Sequence, residues 1–522
     1  MKVLVSDPIS DEGISILKQV AEVDVITNLS PAELVEKISE YDALVVRSET
    51  QVTKEVLEAG HLKIVGRAGV GVDNIDIDAA TRCGTIVVNA PFGNMNSAAE
   101  HTIAMMMAMT RNIPQAYASM KKGEWNRKQF MGCEVKGKTL GVIGLGRIGI
   151  EVVKRAQGLE MKTIGYDPFI SEERAKDFNV VLKTVNEIVQ EADFITVHTP
   201  LTKDTRNIID KAQFAIMKKG ARIINCARGG IINEDALYNA AKNGIVSAAA
   251  IDVFVNEPPT GSPLLELDNI ITTPHLGAST EEAQINVAVD VANEIVHALK
   301  GENVSTALNM PSIRSDVMNA IAPYMQLAET IGHLASQLMV GSYDTVKVEY
   351  CGELAEKDVK PITVAVIKGL LDTIMGSAVN YVNAQMLAKE RKIEVIESKS
   401  SSSSCYQNSL SLTLIKGAVT KTVAGSIIGG EMRIIKIDSY QVDIKPTGIM
   451  IISRHLNKPN IIGPCCLALG KQNINIAGMQ VSPSGIGDEA IMAINVDSDI
   501  PEDVMNSIRN IDGIIDATIV KL

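Results

Sequence analysis

The chain has 522 residues, of which 46% are hydrophobic and 21% charged, a composition typical of a folded globular protein with about three or four domains. Acidic residues outnumber basic residues by 62 to 50, and the net charge of -12 argues against a nucleic-acid partner. Seven cysteines without CxxC or Cys/His spacing indicate neither a disulfide framework nor a metal site. We find no signal peptide and no apolar run of about 18 residues, so we expect a cytoplasmic protein without a membrane partner.

The first part of the chain alternates short apolar runs with helical patterns. Apolar runs lie at 2–6, 23–26 and 43–46, and helical patterns lie between them at 11–20 and 31–40. This alternation predicts a parallel sheet with crossover helices.

A serine followed three residues later by a glutamate marks three helix starts. The pairs are Ser30 and Glu33, Ser97 and Glu100, and Ser279 and Glu282. Such a pair satisfies free backbone N–H groups in the first turn, so we expect each serine to open a helix. The helices near 97–111 and 281–300 flank a second alternating block, and we expect them to bridge two domains with a cleft between them.

A glycine-rich segment follows the apolar strand at 140–143. Gly144, Gly146 and Gly149 form the pattern GxGxxG, and the next strand ends in Asp167, close to the usual spacing for a ribose-binding acid. The pyrophosphate of a dinucleotide would lie at the start of the following helix. Because an aspartate repels a 2′-phosphate and the next two residues are not arginine, the pattern favours NAD over NADP.

Candidate catalytic residues follow three later strands of the same block. Arg228, Glu257 and His275 lie just beyond apolar runs, where open parallel sheets place their ligands. An arginine fork matches the carboxylate of a 2-hydroxy acid, and a histidine accepts the hydroxyl proton as hydride leaves. We expect Glu257 to stabilise the protonated form of His275.

Beyond residue 311 the motifs are weaker. The pattern at 316–338 predicts an amphipathic helix, and the runs at 345–350 and 362–366 read as strands. Residues 397–409, with five successive serines, read as a flexible loop. The order strand, helix, strand, strand, helix, strand over 448–522 predicts a ferredoxin-like βαββαβ module.

The segments GLGRIG, NCARGG, DVFVNEPP and TPHLGAST are similar to those of the D-isomer-specific 2-hydroxyacid dehydrogenases. Within that superfamily, RAGVGVDNID at 67–76 and the two-part C-terminal extension resemble the long-form D-3-phosphoglycerate dehydrogenases. The resemblance implies an α/β fold with two Rossmann-like doubly wound parallel-sheet domains, then an intervening α+β domain and a ferredoxin-like ACT domain. The implied domains are a discontinuous substrate-binding domain at 1–98 and 282–310, a dinucleotide-binding domain at 99–281, an intervening domain at 311–447 and an ACT domain at 448–522.

The resemblance also implies an activity and a set of site residues. The activity is NAD-dependent oxidation of 3-phospho-D-glycerate to 3-phosphohydroxypyruvate, the first committed step to serine, in a homo-oligomer (dimer or tetramer). The implied catalytic residues are Arg228, Glu257 and His275. The residues expected at the cofactor are Gly144, Gly146, Arg147, Ile148, Gly149, Asp167, Thr199, Cys226, Asp252 and Gly277. The residues expected at the substrate phosphate are Arg47, Ser48, Arg67 and Asn94.

In the last module, the stretch 474–480 is the segment most specific to ACT domains. The resemblance implies L-serine as effector, bound at the seam between two modules by Asn475 and, as a weaker candidate, Asn457. The family usually has Pro-Gly in the first loop, where this chain has Pro459 and Asn460. The alternative is a dimerisation module without a ligand.

Other interpretations remain open at this point. Arg47, Ser48, Arg67 and Asn94 are also compatible with ordinary salt bridges and turns, and Cys226 with a small residue in the wall of the site. A glyoxylate or hydroxypyruvate reductase would not need the phosphate-binding arginines. An NAD-sensing scaffold of the same fold would need no turnover at all.

Overall fold

The computed structural model describes residues 1–311, 315–339, 341–401, 406–483 and 488–522. Its strands form separate sheets that follow one another along the chain. None of the described helices is both long enough and apolar enough to cross a membrane.

The first sheet is formed before residue 90. Its elements are β1 (Lys2–Val5), α1 (Asp11–Leu17), β2 (Glu22–Val25), α2 (Pro31–Lys37), β3 (Ala43–Val46), α3 (Lys54–Ala59), β4 (Ile64–Arg67), α4 (Ile77–Arg82) and β5 (Ile86–Asn89). All strand pairs are parallel, in the order β2-β1-β3-β4-β5. Ser30 opens α2 as predicted, because its hydroxyl accepts from Glu33 N and the Glu33 carboxylate accepts from Ser30 N.

The second sheet follows two helices. Its region contains α5 (Met95–Thr110), α6 (Ile113–Lys121), β6 (Thr139–Ile143), α7 (Arg147–Gly158), β7 (Lys162–Tyr166), α8 (Glu172–Asp177), β8 (Val181–Leu182), α9 (Val185–Glu191), β9 (Phe194–Val197), α10 (Lys211–Ile216), β10 (Ala221–Asn225), α11 (Glu234–Lys242), β11 (Val246–Ile251), β12 (Ile270–Thr272) and α12 (Glu281–Leu299). The strands are parallel in the order β12-β11-β10-β9-β6-β7-β8. The strand order reverses between β6 and β9, where doubly wound sheets bind their ligands.

Two of the predicted helix starts are displaced. α5 begins at Met95, and the hydroxyl of Ser97 donates to Gly277 O at 2.9 Å instead of capping the helix. α12 begins after Thr280, whose side chain accepts from Ala283 N, so the cap lies one residue beyond Ser279. The serine pattern predicted both helices. The hydroxyl of Ser97, however, bonds to Gly277, a residue distant in sequence, and therefore does not cap the helix.

α12 returns the chain to the first sheet. A Cβ on Gly66 of β4 would lie 2.5 Å from Val291 and 2.7 Å from Ile295, so α12 packs directly on that strand. Beyond α12, Ala307 forms a bridge with Val88 of β5. The first sheet is therefore completed by residues that follow the second sheet.

The third sheet is mixed and is covered by helices. Its region contains α13 (Ser315–Leu338), β13 (Thr345–Gly352), α14 (Lys360–Met375), α15 (Ala384–Glu390), β14 (Glu394–Ser400), β15 (Asn408–Lys416), β16 (Val419–Ile428), β17 (Glu431–Ile437) and β18 (Tyr440–Ile444). The strand order is β14-β13-β15-β16-β17-β18. β13 pairs in parallel with β14, whereas the other neighbours are antiparallel.

Two predictions in this region are wrong. Residues 362–366 lie in α14 and are almost fully buried, and a run buried on all sides lacks the polar period that separates a helix from a strand. The loop predicted at 397–409 is occupied at both ends by strands, since β14 runs to Ser400 and β15 begins at Asn408. Residues 402–405 of that prediction lie outside the described residues.

The last sheet has the predicted βαββαβ order. Its elements are β19 (Ile449–Leu456), α16 (Ile462–Gly470), β20 (Ile476–Pro483), β21 (Glu489–Val496), α17 (Glu502–Arg509) and β22 (Ile514–Lys521). The strands are antiparallel in the order β20-β21-β19-β22. Together the sheets confirm the predicted fold class: two Rossmann-like parallel-sheet regions, an α+β region and a ferredoxin-like module.

Candidate active site

The glycine-rich turn joins β6 to α7. Gly144 has φ 97°, and a Cβ there would lie 2.7 Å from the His198 carbonyl group. A Cβ on Gly149 would lie 2.1 Å from Gly144 O, so only glycine lets α7 approach the turn this closely. A Cβ on Gly146 would meet no heavy atom within 4 Å, which leaves that side of the turn open to a ligand.

Polar groups beside the turn retain hydrogen-bonding capacity. Asp167 accepts from Leu145 N at 2.9 Å and from Phe169 N at 2.8 Å, one bond to each carboxylate oxygen. Each oxygen has a further lone pair, which suits a ribose hydroxyl. Thr199 Oγ1 is buried and has no hydrogen-bond partner among the described residues. An open glycine face, an available carboxylate and an unpaired buried hydroxyl fit a bound dinucleotide.

The two other candidates in this turn face different surroundings. The Arg147 guanidinium lies 4.3 Å from the centre of the Phe92 ring, and Nη1 donates to Pro91 O at 3.5 Å. Arg147 therefore reaches from the second sheet to the segment that follows the first. Ile148 is half-buried against the core of the second sheet, and its contact with the cofactor stays a prediction.

Asp252 organises the segment that carries His275. Its Oδ1 accepts from Thr273 Oγ1 at 2.5 Å and from Leu276 N at 2.8 Å, and its Oδ2 accepts from Gly277 N at 3.0 Å. The backbone N–H of His275 donates to Asp252 O at 2.9 Å. The side chain of Asp252 is therefore fixed by its neighbours on both sides of His275.

The pKa of Asp252 follows from these bonds. Burial raises the pKa of this carboxyl, but hydrogen bonds from His101 and Thr273 outweigh burial and hold the pKa below its ordinary value. The group is thus an anion within the protein interior.

The structure brings Glu257 and His275 together. His275 Nδ1 lies 2.8 Å from Glu257 Oε2, and Glu257 Oε1 accepts from Phe254 N at 3.0 Å. The loop of Arg228 packs on this segment, since a Cβ on Gly229 would lie 2.0 Å from the Phe254 carbonyl. The loops that carry all three candidate catalytic side chains therefore meet at one edge of the second sheet.

Arg228 also reaches the first sheet. Its Nε donates to Asp73 Oδ2 at 3.0 Å, and a Cβ on Gly71 would lie 1.8 Å from its Nη2. Burial, reinforced by the charges of Arg228 and Arg47, lowers the pKa of Arg67 to about 10. Arg228 of the second sheet region thus lies near Arg67 and Arg47 of the first, with Asp73 bonded to Arg228, and this excess of positive charge favours an anion.

Polar side chains of the first sheet hold these arginines. Asp7 accepts from Arg47 N at 2.5 Å and from Thr50 N at 3.1 Å. Arg67 Nε donates to Asn74 Oδ1 at 3.2 Å, and the Asn74 amide donates to Arg47 O at 2.9 Å. Asn74 therefore links the loops of Arg47 and Arg67.

The remaining predicted residues differ in their surroundings. Ser48 is exposed, whereas Asn94 precedes α5 and its Oδ1 is buried without a hydrogen-bond partner among the described residues. Cys226 is half-buried, and burial together with the Asp252 charge raises the pKa of its thiol, which favours an inert wall residue. Asn457 and Asn475 lie in the C-terminal module, apart from this site.

Comparison with known proteins places the chain in a family. Residues 103–277 match the NAD binding domain of the D-isomer specific 2-hydroxyacid dehydrogenases, and residues 320–438 match the D-3-phosphoglycerate dehydrogenase intervening domain. The D-3-phosphoglycerate dehydrogenase of Methanocaldococcus jannaschii is 49% identical over 524 residues, which cover 100% of both chains. The chain belongs to the D-3-phosphoglycerate dehydrogenase family. It is accordingly an oxidoreductase, and NAD is its cofactor.

Two further relatives show how far the similarity extends. The D-3-phosphoglycerate dehydrogenase of Archaeoglobus fulgidus is 48% identical over 527 residues and covers 100% of both chains. The crystal structure of a D-lactate dehydrogenase from Aquifex aeolicus, complexed with NAD and lactic acid, matches with a TM-score of 0.53 and 27% identity. That match covers 58% of this chain and 96% of the other, so much of this family member has no counterpart there.

Sequence reasoning missed several residues that shape the site. Asp7 and Asn74 hold the arginine loops, Asp73 contacts Arg228, and His101 lies against Asp252. Asp7 follows the buried strand β1, a position that could have identified it. The role of His101 depends on a contact distant in sequence, and no local pattern points to it.

Proposed function

We propose that this protein oxidises 3-phospho-D-glycerate to 3-phosphohydroxypyruvate with NAD, as the first committed step of L-serine biosynthesis. The observation that carries the proposal is that three arginines lie close together, Arg47 and Arg67 in the first sheet region and Arg228 in the second. A substrate with a carboxylate at one end and a phosphate at the other complements such a cluster.

In this proposal, different residues bind the carboxylate and the phosphate of the substrate. Arg228 binds the substrate carboxylate from the second sheet, and Arg47, Arg67, Ser48 and Asn94 bind the phosphate from the first. In this proposal Asn94 donates from its side-chain amide nitrogen, because its Oδ1 and the phosphate oxygens are both acceptors. Binding of one ligand by both sheet regions would bring them closer together and exclude water from the reacting carbon.

His275 accepts the proton of the substrate hydroxyl. Since Nδ1 lies against Glu257, Nε2 is the nitrogen that remains to face the substrate. The carboxylate of Glu257 stabilises the imidazolium that forms. When bound at the glycine-rich turn, NAD supplies the hydride acceptor.

The domain division follows the same proposal. Residues 1–98 and 282–310 form the substrate-binding domain, 99–281 the dinucleotide-binding domain, 311–447 the intervening domain and 448–522 the ACT domain. The packing of α12 on β4 supports the discontinuous first domain.

We also place the protein in the cytoplasm as a homo-oligomer. Large apolar side chains are exposed along one segment of the dinucleotide-binding domain, which supports contact with a second copy. These exposed side chains are Ile113, Tyr117, Met120, Trp125 and Met131.

The ACT module is the proposed binding site for L-serine. Asn457 follows β19 and Asn475 precedes β20, so α16 separates them along the module. A helix of nine residues is about 13 Å long, too long for one serine to span, so a shared site requires two copies of the module. Asn460 has φ 66°, the left-handed conformation that glycine usually supplies in this loop.

The test is NADH formation by the purified protein with 3-phospho-D-glycerate and with D-glycerate. We expect kcat/KM to fall by about 10- to 100-fold without the phosphate, the loss typical of hydrogen bonds to a charged group. Arg47→Ala should reduce this preference, whereas Arg82→Ala, at an exposed arginine of α4 in the same sheet region, should leave it unchanged. Equal or better turnover of unphosphorylated substrates would favour a glyoxylate or hydroxypyruvate reductase, and NAD binding without turnover would favour a scaffold.

A further inference from the structure

One face of α5 lies against the segment that carries His275. Ser97, His101 and Met105 are spaced four residues apart, so they share this face. The Ser97 hydroxyl donates to Gly277 O at 2.9 Å, and Thr273 Oγ1 lies 3.8 Å from the Met105 sulfur. The two ends of the segment 273–277 are therefore both in contact with α5.

His101 lies between these two contacts. Its Nε2 is 3.2 Å from Asp252 Oδ1 and 3.4 Å from Thr273 Oγ1. The Asp252 carboxylate in turn accepts from Leu276 N and Gly277 N, the backbone donors just after His275. A continuous chain of hydrogen bonds thus runs from α5 to the candidate proton acceptor.

We propose that His101 is a positioning residue for the dehydrogenase reaction. It orients Asp252, and through Asp252 it holds the segment that presents His275 to the substrate. This inference rests on the function proposed above, because it assigns to His275 the role of accepting the substrate proton.

Asp252 is fully buried, and its side chain has no exposed surface. A buried carboxylate needs several donors, and the loss of one alters how the others are shared. His275 has φ 54°, a left-handed conformation that is uncommon for residues other than glycine and is held here by the bonds around it. Weakening the bonds of Asp252 would therefore let the backbone at His275 relax and move its imidazole away from the substrate.

The test compares variants that keep or remove the donor at His101. His101→Gln keeps an N–H group at the reach of Nε2, His101→Asn carries the same amide on a shorter side chain, and His101→Leu removes it. We expect kcat to fall about tenfold in the Leu and Asn variants, with KM changed less than about threefold and Gln within about twofold of the parent. His297→Leu, at a half-exposed histidine of α12, should change nothing.

A second readout separates positioning from general damage to the fold. With C2-deuterated substrate, the primary isotope effect on kcat should rise in the Leu and Asn variants, because a misplaced His275 slows the chemical step relative to product release. Assays include EDTA, since His101, Cys226 and Asp252 lie close enough together to hold a metal ion.

An unchanged kcat and isotope effect in folded His101→Leu would overturn the inference, and so would a Gln variant no better than Asn. If His101→Leu does not fold, the comparison of Gln with Asn decides, since both are polar and differ by one methylene. A parent protein inactive on 3-phospho-D-glycerate would instead contradict the proposed function. The same variants would then be compared in the reduction of hydroxypyruvate or glyoxylate.

Discussion

The region of the two parallel sheets and the α+β region both contain charged clusters, but the clusters differ in kind. Between the parallel sheets, Arg67 lies near Arg47 and Arg228, and burial together with these two charges lowers its pKa. Between α13 and α14, Lys368 and Tyr381 both donate to Glu329. His333 lies 3.4 Å from Asp372 in the same interface.

We interpret the first cluster as a candidate binding site and the second as a structural contact between two helices. In the first cluster three guanidinium groups lie beside two carboxylates, Asp73 and Asp7, so the cluster keeps an excess of positive charge that an anionic ligand can use. In the second cluster, opposite charges pair with one another and stabilise the packing of two helices. Removing a side chain should therefore affect turnover in the first cluster and stability in the second.

The largest effect is expected at His275. His275→Ala removes the proton acceptor, and we expect kcat to fall by about 10²- to 10⁴-fold, measured as initial NADH formation. The thermal midpoint should hardly change, because the side chain is 47% exposed. Activity within tenfold of the parent would show that His275 is not the proton acceptor. The expected contrast, an effect on turnover here and on stability in the α+β region, would then fail.

A smaller effect is expected at the cofactor. Asp167→Ala removes the carboxylate expected to bind the ribose, and we expect the KM for NAD to rise by about 10- to 100-fold. Use of NADP should improve relative to NAD, because the repulsion of a 2′-phosphate is lost. Asp177→Ala, at the end of α8, serves as the matched control. An unchanged ratio of NAD to NADP activity would contradict the assigned role of Asp167.

In the α+β region the expected effect is on stability. Burial raises the pKa of Glu329, but hydrogen bonds from Lys368 and Tyr381 outweigh it and hold the pKa below the ordinary 4.5. A carboxylate with a lowered pKa stabilises the fold above its ordinary pKa, and this contribution is lost as the pH falls through the folded-state value. We expect Lys368→Met to lower the free energy of unfolding at pH 7 by about 1–3 kcal/mol.

The pH dependence of this variant sharpens the comparison. The difference between the parent and Lys368→Met should shrink as the pH falls below 4.5, since Glu329 becomes protonated in both. Urea unfolding at several pH values measures this, and kcat should stay within about twofold of the parent. A loss of activity without a loss of stability would mean that this cluster also belongs to a functional site.

The two regions also differ in how well the sequence predicts them. The glycine-rich turn and the residues after β10 and β12 follow buried strands, so local patterns reveal their positions. The helix α14 was misread because its apolar residues are buried on all sides. The polar strand β14 lies at a sheet edge and is held by backbone pairing with β13, so its serines suggested a loop.

Within the site, the missed residues share one property. Asp7, Asn74 and His101 act through partners that are distant in sequence, at Thr50, Arg47 and Asp252. A single sequence does not reveal which side chains meet across two sheets. What it does reveal is which residues stand at the ends of strands, and the candidate catalytic and cofactor residues were found there.

The smallest effect is expected at Asn460, where the chain departs from the usual glycine. Because Asn460 already has φ 66°, Asn460→Gly should keep the loop shape and change the free energy of unfolding by less than about 0.5 kcal/mol. Asn460→Val should lower the free energy of unfolding by about 1–2 kcal/mol, since a β-branched residue resists the left-handed conformation.

If the backbone shape of this loop is what a serine effector requires, serine inhibition measured by NADH formation should be the same for the parent and Asn460→Gly and weaker for Asn460→Val. Inhibition that appears only in Asn460→Gly would instead show that the asparagine side chain blocks the effector. The C-terminal module of the parent protein would then have a structural role only.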